Sequence, residues 1–366
     1  MEDDDLLAIA FLLLINKKKK RRRYWIHPLN TRRVYESPYY LKRVKLRAHP
    51  DIFFDFYRMS INSFDELHNG IRDKLIKQNT CMRLSLDTEE KLTITLRFLA
   101  TGKNFEELHF EYLMGSRTVS AVVKETCTAI WEVFQPLEMK PPSSKERWLE
   151  IAENYYKRTN FPNCVAVVHS DYRFIAVDVG AYGRDSDSNI FNNWNFGKKL
   201  THNCLNMPEA KPLPNTNDTP LPFVFLGDEA FPLNNNFMKL YPRSNLNTQR
   251  RIFNYRLSRS RRVVECAFGI LSNKWRIFQT SMTIPPDFAV LVTKAACVLH
   301  NFVRRRDGYR FEDTLTHYFE DIPFRSPQHR STNRGRNIRD NFAEYFMTPA
   351  GEIWYQYNER ISNLQE

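Results

Sequence analysis

The stretch Phe223-Val224-Phe225-Leu226-Gly227-Asp228 decides how the second half of this chain is read. Four consecutive apolar residues, two aromatic and one β-branched, describe a short buried strand. Gly227 then removes side-chain crowding, and Asp228 places a carboxylate at the strand's end. In α/β folds, ligands and reacting groups collect at such positions. Upstream, residues 164–169 and 174–179 read as two more strands joined by a polar turn over 170–173, and the Pro- and Asn-rich run 208–222 reads as a loop. Downstream, apolar residues at helical spacing predict helices over about 258–275 and 287–302. The second half is therefore expected to be α/β.

The first half reads as helical after an aromatic and basic lead-in over 24–60. Ser63 with Glu66, and Asp87 with Glu90, have the spacing of capping boxes, and Leu92, Leu96 and Leu99 share one face of a helix that Gly102 stops. From Asn104 the pattern is helix, tight turn, helix: residues 105–110, a break at Met114 and Gly115, and a helix that Ser116 caps. Burying Val119, Val122, Val123, Cys127 and Ile130 turns Arg117, Thr118, Ser120 and Lys124 to solvent. Over about residues 92–131 this is a helix-turn-helix arrangement, whose second helix would present its first turns to the major groove. A helical pair that packs or binds another protein is the alternative. Residues 139–144 read as a linker, followed by an amphipathic helix carrying Trp148, Ile151, Ala152, Tyr155 and Tyr156. The expected division is an apolar stretch plus basic run (1–23), a helical domain (24–140), an α/β domain (141–350) and a tail (351–366).

A chain of 366 residues with 42% hydrophobic content can bury the cores of two domains. Its formal charge of +12 is clustered, which favours a polyanionic partner, nucleic acid first and an anionic membrane surface second. The six cysteines form no CxxC pair and no zinc-type spacing, so reduced thiols in the cytosol or nucleus are expected. The absence of a P-loop, GxSxG or HExxH leaves kinase, serine hydrolase and zinc protease readings without support. Residues 6–15 are apolar but too few to span a bilayer, and acids precede them where a secretory signal carries bases. No transmembrane segment is expected. The bases of residues 17–23 read as a nuclear-import run, giving the nucleus as the expected location and the cytoplasm as the second; a solvated charge run and a membrane-surface anchor are the alternatives.

Glu265 falls in the predicted helix whose apolar stripe is Val264, Ala267, Phe268, Leu271 and Trp275, so its side chain sits at the edge of the buried face. Two or three carboxylates converging on Mg²⁺ or Mn²⁺ can activate water and stabilise the leaving oxygen of a phosphodiester. Spacing alone leaves other readings open: a helical salt bridge with Arg261 or Arg262 for Glu265, and a turn-forming residue for Asp228. Residues 184–188 contain two aspartates that suit a cation or, more simply, a helix N-cap. His300 reads as a core histidine bonded to backbone. Arg250, Arg251, Arg256, Arg259, Arg261 and Arg262, interleaved with Phe253 and Tyr255, would offset the repulsion between carboxylates and phosphates, since each guanidinium fork can donate two bonds to phosphate.

Several ordered motifs then point to one family. Gly227-Asp228-Glu229-Ala230-Phe231-Pro232-Leu233, Phe253-Asn254-Tyr255-Arg256-Leu257-Ser258-Arg259, Arg262-Val263-Val264-Glu265-Cys266-Ala267-Phe268-Gly269-Ile270-Leu271 and Val298-Leu299-His300-Asn301 closely resemble the Harbinger (PIF-type) transposase-derived nucleases. Val177-Asp178-Val179-Gly180-Ala181-Tyr182-Gly183-Arg184 and Arg97-Phe98-Leu99-Ala100-Thr101-Gly102 match as well, so the resemblance runs from about residue 24 to the C-terminus. It implies an RNase H-like DDE fold for the second half, a helix-turn-helix region for the first, a divalent metal held by acids, DNA as substrate, and a separate Myb-like DNA-binding partner. Asp228 and Glu265 match the second and third catalytic acids. The chain departs from the family after Phe161-Pro162-Asn163-Cys164, where a strand bearing the first catalytic Asp is expected. Instead Cys164-Val165-Ala166 runs directly into Val167-Val168-His169-Ser170-Asp171-Tyr172-Arg173-Phe174, which resembles the far end of the next strand. This implies a deletion that removes the first Asp and truncates the sheet, with Asp171 and Asp178 as the nearest acids. The expected function is a metal-dependent DNA endonuclease fold with an incomplete triad and impaired cutting; the alternative is an inert DNA-binding or protein-interaction protein.

Overall fold

The computed structural model describes residues 24, 26–81, 84–181, 187–228, 231–242, 244, 246–308 and 332–357. Residues 1–23, with the apolar stretch and basic run, lie outside these, as do 182–186 within the two-aspartate segment and 358–366 of the tail. Among the described residues seven α-helices build the first half: α1 (Arg33–Glu36), α2 (Pro38–Arg47), α3 (Pro50–Tyr57), α4 (Ile61–Leu75), α5 (Thr88–Thr101), α6 (Phe105–Tyr112) and α7 (Ser116–Glu138). Then follow α8 (Lys145–Thr159), β1 (Cys164–Val165), α9 (Asp187–Asn193), α10 (Asn195–Thr201), β2 (Val224–Leu226), β3 (Phe237–Met238), α11 (Thr248–Lys274), α12 (Pro286–Asp307) and α13 (Asn333–Tyr345).

The capping chemistry explains most boundaries. At α5 the Asp87 side chain accepts from the Glu89 amide, and Gly102 ends the helix at φ 71°, where a Cβ would stand 3.0 Å from the Arg276 carbonyl oxygen. At α6, Asn104 and Glu107 form a reciprocal capping box. Two expected caps move. Ser60, not Ser63, caps α4, with its hydroxyl accepting from the Ser63 amide at 3.2 Å, while Glu66 is used elsewhere, in an ion pair with Arg306 at 2.6 Å. Gly115, not Ser116, is the N-cap of α7, because Leu113 already turns the chain at φ 51° and Ser116 is the first helical residue.

Buried apolar side chains from Tyr39 to Phe346 form one continuous cluster. α7 lies at its centre, packed against α12 as well as α4, α5 and α6. The first turn of α5 presents three acids to the preceding helices. Glu89 pairs with Arg43 at 2.7 Å and Arg47 at 3.3 Å, Asp87 accepts from Tyr39, and the fully buried Glu90 meets Arg33 at 3.2 Å and Tyr40 at 3.3 Å. Burial pushes the Glu90 carboxyl up to about 7, against the opposing pull of Arg33 and Tyr40. The folded protein therefore keeps this proton at pH values where the unfolded chain has lost it. Stability should fall as pH rises from the ordinary carboxyl range to about 7, by on the order of 3 kcal/mol, and level off above. Urea denaturation across that window should show the slope flattened in Glu90→Gln; an undiminished slope would assign it to another group.

The sheet is small and parallel, in the order β1-β2-β3, with Cys164 opposite Val224, Val165 opposite Phe225, Phe225 opposite Phe237 and Leu226 opposite Met238. Helices around a parallel sheet agree with the α/β reading of the second half. The two upstream strands are much shorter than expected: residues 164–169 contribute β1 and Val168, and residues 174–179 contribute Phe174, the two joined by a single antiparallel bridge. The reason is visible at Phe174. Its amide donates to Asn301 Oδ1 at 2.8 Å and its carbonyl accepts from Asn301 Nδ2 at 2.7 Å, so a side chain of α12 takes the groups that a neighbouring strand would pair.

Candidate active site and nucleic-acid interface

β2 delivers Asp228 as the sequence suggests. The Gly227 amide continues the ladder by donating to the Met238 carbonyl at 2.9 Å, and Asp228 follows, half-buried, with its carbonyl accepting from the Phe231 amide at 3.3 Å. Gly227 is required by a close approach, since a Cβ there would stand 3.0 Å from the Phe231 ring. Glu265 comes from α11, which packs against β2.

α11 begins ten residues earlier than the expected Ser258 boundary. Asn247 caps it by accepting from the Arg250 amide at 2.9 Å, and Ile252, Phe253, Leu257 and Ser260 extend the buried face backwards from Val263, Ala267, Ile270 and Leu271. The periodicity of those residues carried that signal. Phe268, expected in the apolar stripe, is 44% exposed and instead packs its ring against Phe174 at 5.1 Å between centres. Glu265 is also on the open side: its carboxylate is 52% exposed and pairs with Arg261 at 3.5 Å, the helical salt bridge that spacing alone allows.

The arginines divide. Arg256 does not face solvent; it is 1% exposed and donates to the carbonyls of Asn160 and Gly351 and to Gln356 Oε1, with its guanidinium 4.4 Å from the centre of the Phe346 ring. It ties α11 to the loop before β1 and to residues 351–357, so its assignment as a phosphate contact is corrected here. Arg259 is half-buried and donates to the Tyr355 hydroxyl. Arg261 is half-buried beside Glu265, whereas Arg250, Arg251 and Arg262 are exposed. In the first half, Arg117 and Lys124 are exposed on the first turns of α7, and Thr118 and Ser120 are half-buried there.

The turn over residues 168–174 is held by side chains that sequence reading did not single out. Arg158 donates to the Ser170 carbonyl and the Tyr172 hydroxyl, and Arg304 donates to the Asp171 carbonyl at 3.0 Å. His300 Nε2 meets the Tyr172 carbonyl at 2.8 Å. Burial pushes the His300 imidazole down to about 3, so it is a neutral core histidine, as expected. Asp171 pairs with Arg173 at 2.7 Å; burial acts to raise its carboxyl, but Arg173 outweighs that and leaves it below its ordinary value. Asp178 is exposed and outside any strand. Neither acid is on β1.

DDE endonucleases typically use divalent metals, and the donors among the described residues do not form a site for a metal pair. Among the described residues no group of three or more His, Cys, Asp or Glu could hold an ion, and Glu265 is already engaged by Arg261. All six cysteines are free thiols, three of them buried. Among the described residues no helix is long and apolar enough to cross a membrane.

Over 341 residues the chain is 20% identical to "Protein ALP1-like" of Arabidopsis thaliana, with 81% of each chain covered. No solved structure matches. Residues 138–301, which contain β1, β2, Asp228 and Glu265, match the family described as DDE superfamily endonuclease.

Proposed function

We propose that this chain is a transposase-derived protein of Harbinger type that retains duplex DNA binding and has lost efficient strand cutting. The observation that carries the reading is the solvent face of α11. Arg251 and Arg262 are both exposed and stand about three helical turns apart in line, on a helix packed against the strand that ends in Asp228. Guanidinium forks set apart along one helix face suit separate phosphates of a duplex backbone. Arg117 and Lys124, with Thr118 and Ser120 between them, offer a second contact on α7 in the manner of a recognition helix.

The impairment rests on the missing first acid. Residues 161–170 contain no Asp or Glu, Asp171 is committed to Arg173, and Asp178 lies off the sheet. Two carboxylates would hold Mg²⁺ or Mn²⁺ loosely, and misplaced reacting groups cost rate steeply. Nuclear location and a Myb-like DNA-binding partner belong to the same proposal. A protein-partner role for the helical half is favoured by the exposure of Tyr35, Leu41 and Val44 on and beside α2.

The test is a duplex-binding titration with Arg251→Ala and Arg262→Ala. Each should weaken binding to all sequences alike and lower the log–log salt slope by about 1. An unchanged slope in the double variant would move the contact away from α11.

A further inference from the structure

We infer that a cleft between the end of α7 and α10 is a stacking site for an unpaired nucleobase of single-stranded DNA, an inference that rests on the DNA-binding reading. The cleft has a volume of about 530 Å³ and is lined by Trp131, Met139, Ile175, Trp194, Phe196 and Lys199, among others. That volume falls in the roughly 300–1,000 Å³ range of clefts that enclose small ligands.

Its chemistry selects the occupant. Trp131 and Trp194 are both half-buried in a lining that also carries polar side chains such as Gln135, Asn195 and Asn206, and Trp194 is backed by the ring of Phe196, 5.0 Å away at an interplanar angle of 30°. Phe196 is fixed in turn against Trp148 and Phe225 of β2, so this aromatic wall is anchored to the sheet. Planar, immobilised rings suit a planar base, and base–aromatic stacking tolerates any sequence. The charges favour a polyanion: among the described residues no Asp or Glu lines the cleft, Lys199 does, and Lys294 holds its ammonium 5.4 Å from the centre of the Trp131 ring. Aromatic faces for bases beside ammonium groups for phosphates are the recurring parts of single-strand binding. The lining includes residues 175–177, immediately after the shortened hairpin, so the cleft lies beside the part of the sheet where the expected strand is reduced to one bridge.

The test compares the full chain's affinity for a short fluorescent oligothymidylate and for an abasic oligonucleotide of equal length. The base-bearing strand should bind about tenfold tighter, in line with roughly 1–3 kcal/mol per stacked base. Trp131→Ala with Trp194→Ala should remove the difference, and Trp131→Phe with Trp194→Phe should keep most of it. Where the alanine variants do not fold, irradiating the unaltered chain with a 5-bromouracil oligonucleotide should give cross-links at Trp131 or Trp194. Equal affinity for the two strands, or cross-links elsewhere, would overturn the inference. The arginine variants separate the two proposals. Loss of duplex binding in Arg251→Ala with Arg262→Ala, alongside equal base-bearing and abasic affinities, rejects the cleft alone. Base discrimination with duplex binding untouched by those variants rejects the α11 contact alone.

Discussion

Arg256→Ala is expected to destabilise the protein by about 3–5 kcal/mol, the scale on which removing one partner of a buried charged group acts. The substitution strands three acceptors, the carbonyls of Asn160 and Gly351 and Gln356 Oε1, and empties the space beside Phe346. Charge-assisted bonds each contribute roughly 1.5–3 kcal/mol, and the desolvation of the guanidinium offsets part of their sum. Burial also lowers the Arg256 pKa, the cost of keeping a charge inside. Urea denaturation measures the loss. Arg262→Ala is the control, since Arg262 is exposed and its removal should shift stability by well under about 1 kcal/mol. Equal effects of the two substitutions would mean that Arg256 is not the tie between α11 and residues 351–357.

The contrast between these arginines marks what sequence could and could not supply. Composition and interleaving with aromatic residues correctly pointed to α11 as basic. They could not say which guanidinium faces inward, because Arg256 is drawn in by three acceptors that lie about 100 residues away along the chain. Long-range pairing also hid the shape of the sheet. Residues 174–179 alternate and branch as a strand should, yet Asn301, from α12, satisfies Phe174 in place of a neighbour. Local signals fared better. The Asp87 cap, the Gly102 stop, the turn before α7 and the Gly227–Asp228 strand end all depend on a few adjacent residues, and all were legible. Ser60 was missed as the cap of α4 because Ser63 offers the same chemistry three residues later. Spacing offered Glu265 a salt bridge with Arg261 or Arg262, and the fold selects Arg261.

The second large effect concerns salt. If Arg251 and Arg262 on α11 and Arg117 and Lys124 on α7 all touch phosphates, duplex affinity should fall about a hundredfold between roughly 50 and 200 mM monovalent salt, as expected for four neutralised phosphates. The formal charge of +12 supplies the attraction, but the steepness depends on how many cations contact the backbone at once. Fluorescence anisotropy with a labelled duplex reads it directly. A flat profile would remove the electrostatic account of both surfaces and leave the exposed apolar side chains of the N-terminal helices as the stronger guide to partners.

Binding without cutting is the central claim, and one assay addresses it most directly. The chain and its Asp228→Ala and Glu265→Ala variants are incubated with a labelled supercoiled or linear duplex in Mg²⁺ and in Mn²⁺, and both retention and strand breaks are measured. The account predicts salt-sensitive retention by all three proteins and no strand breaks above the protein-free level. Metal-dependent nicking by the unaltered chain that disappears in both variants would contradict it.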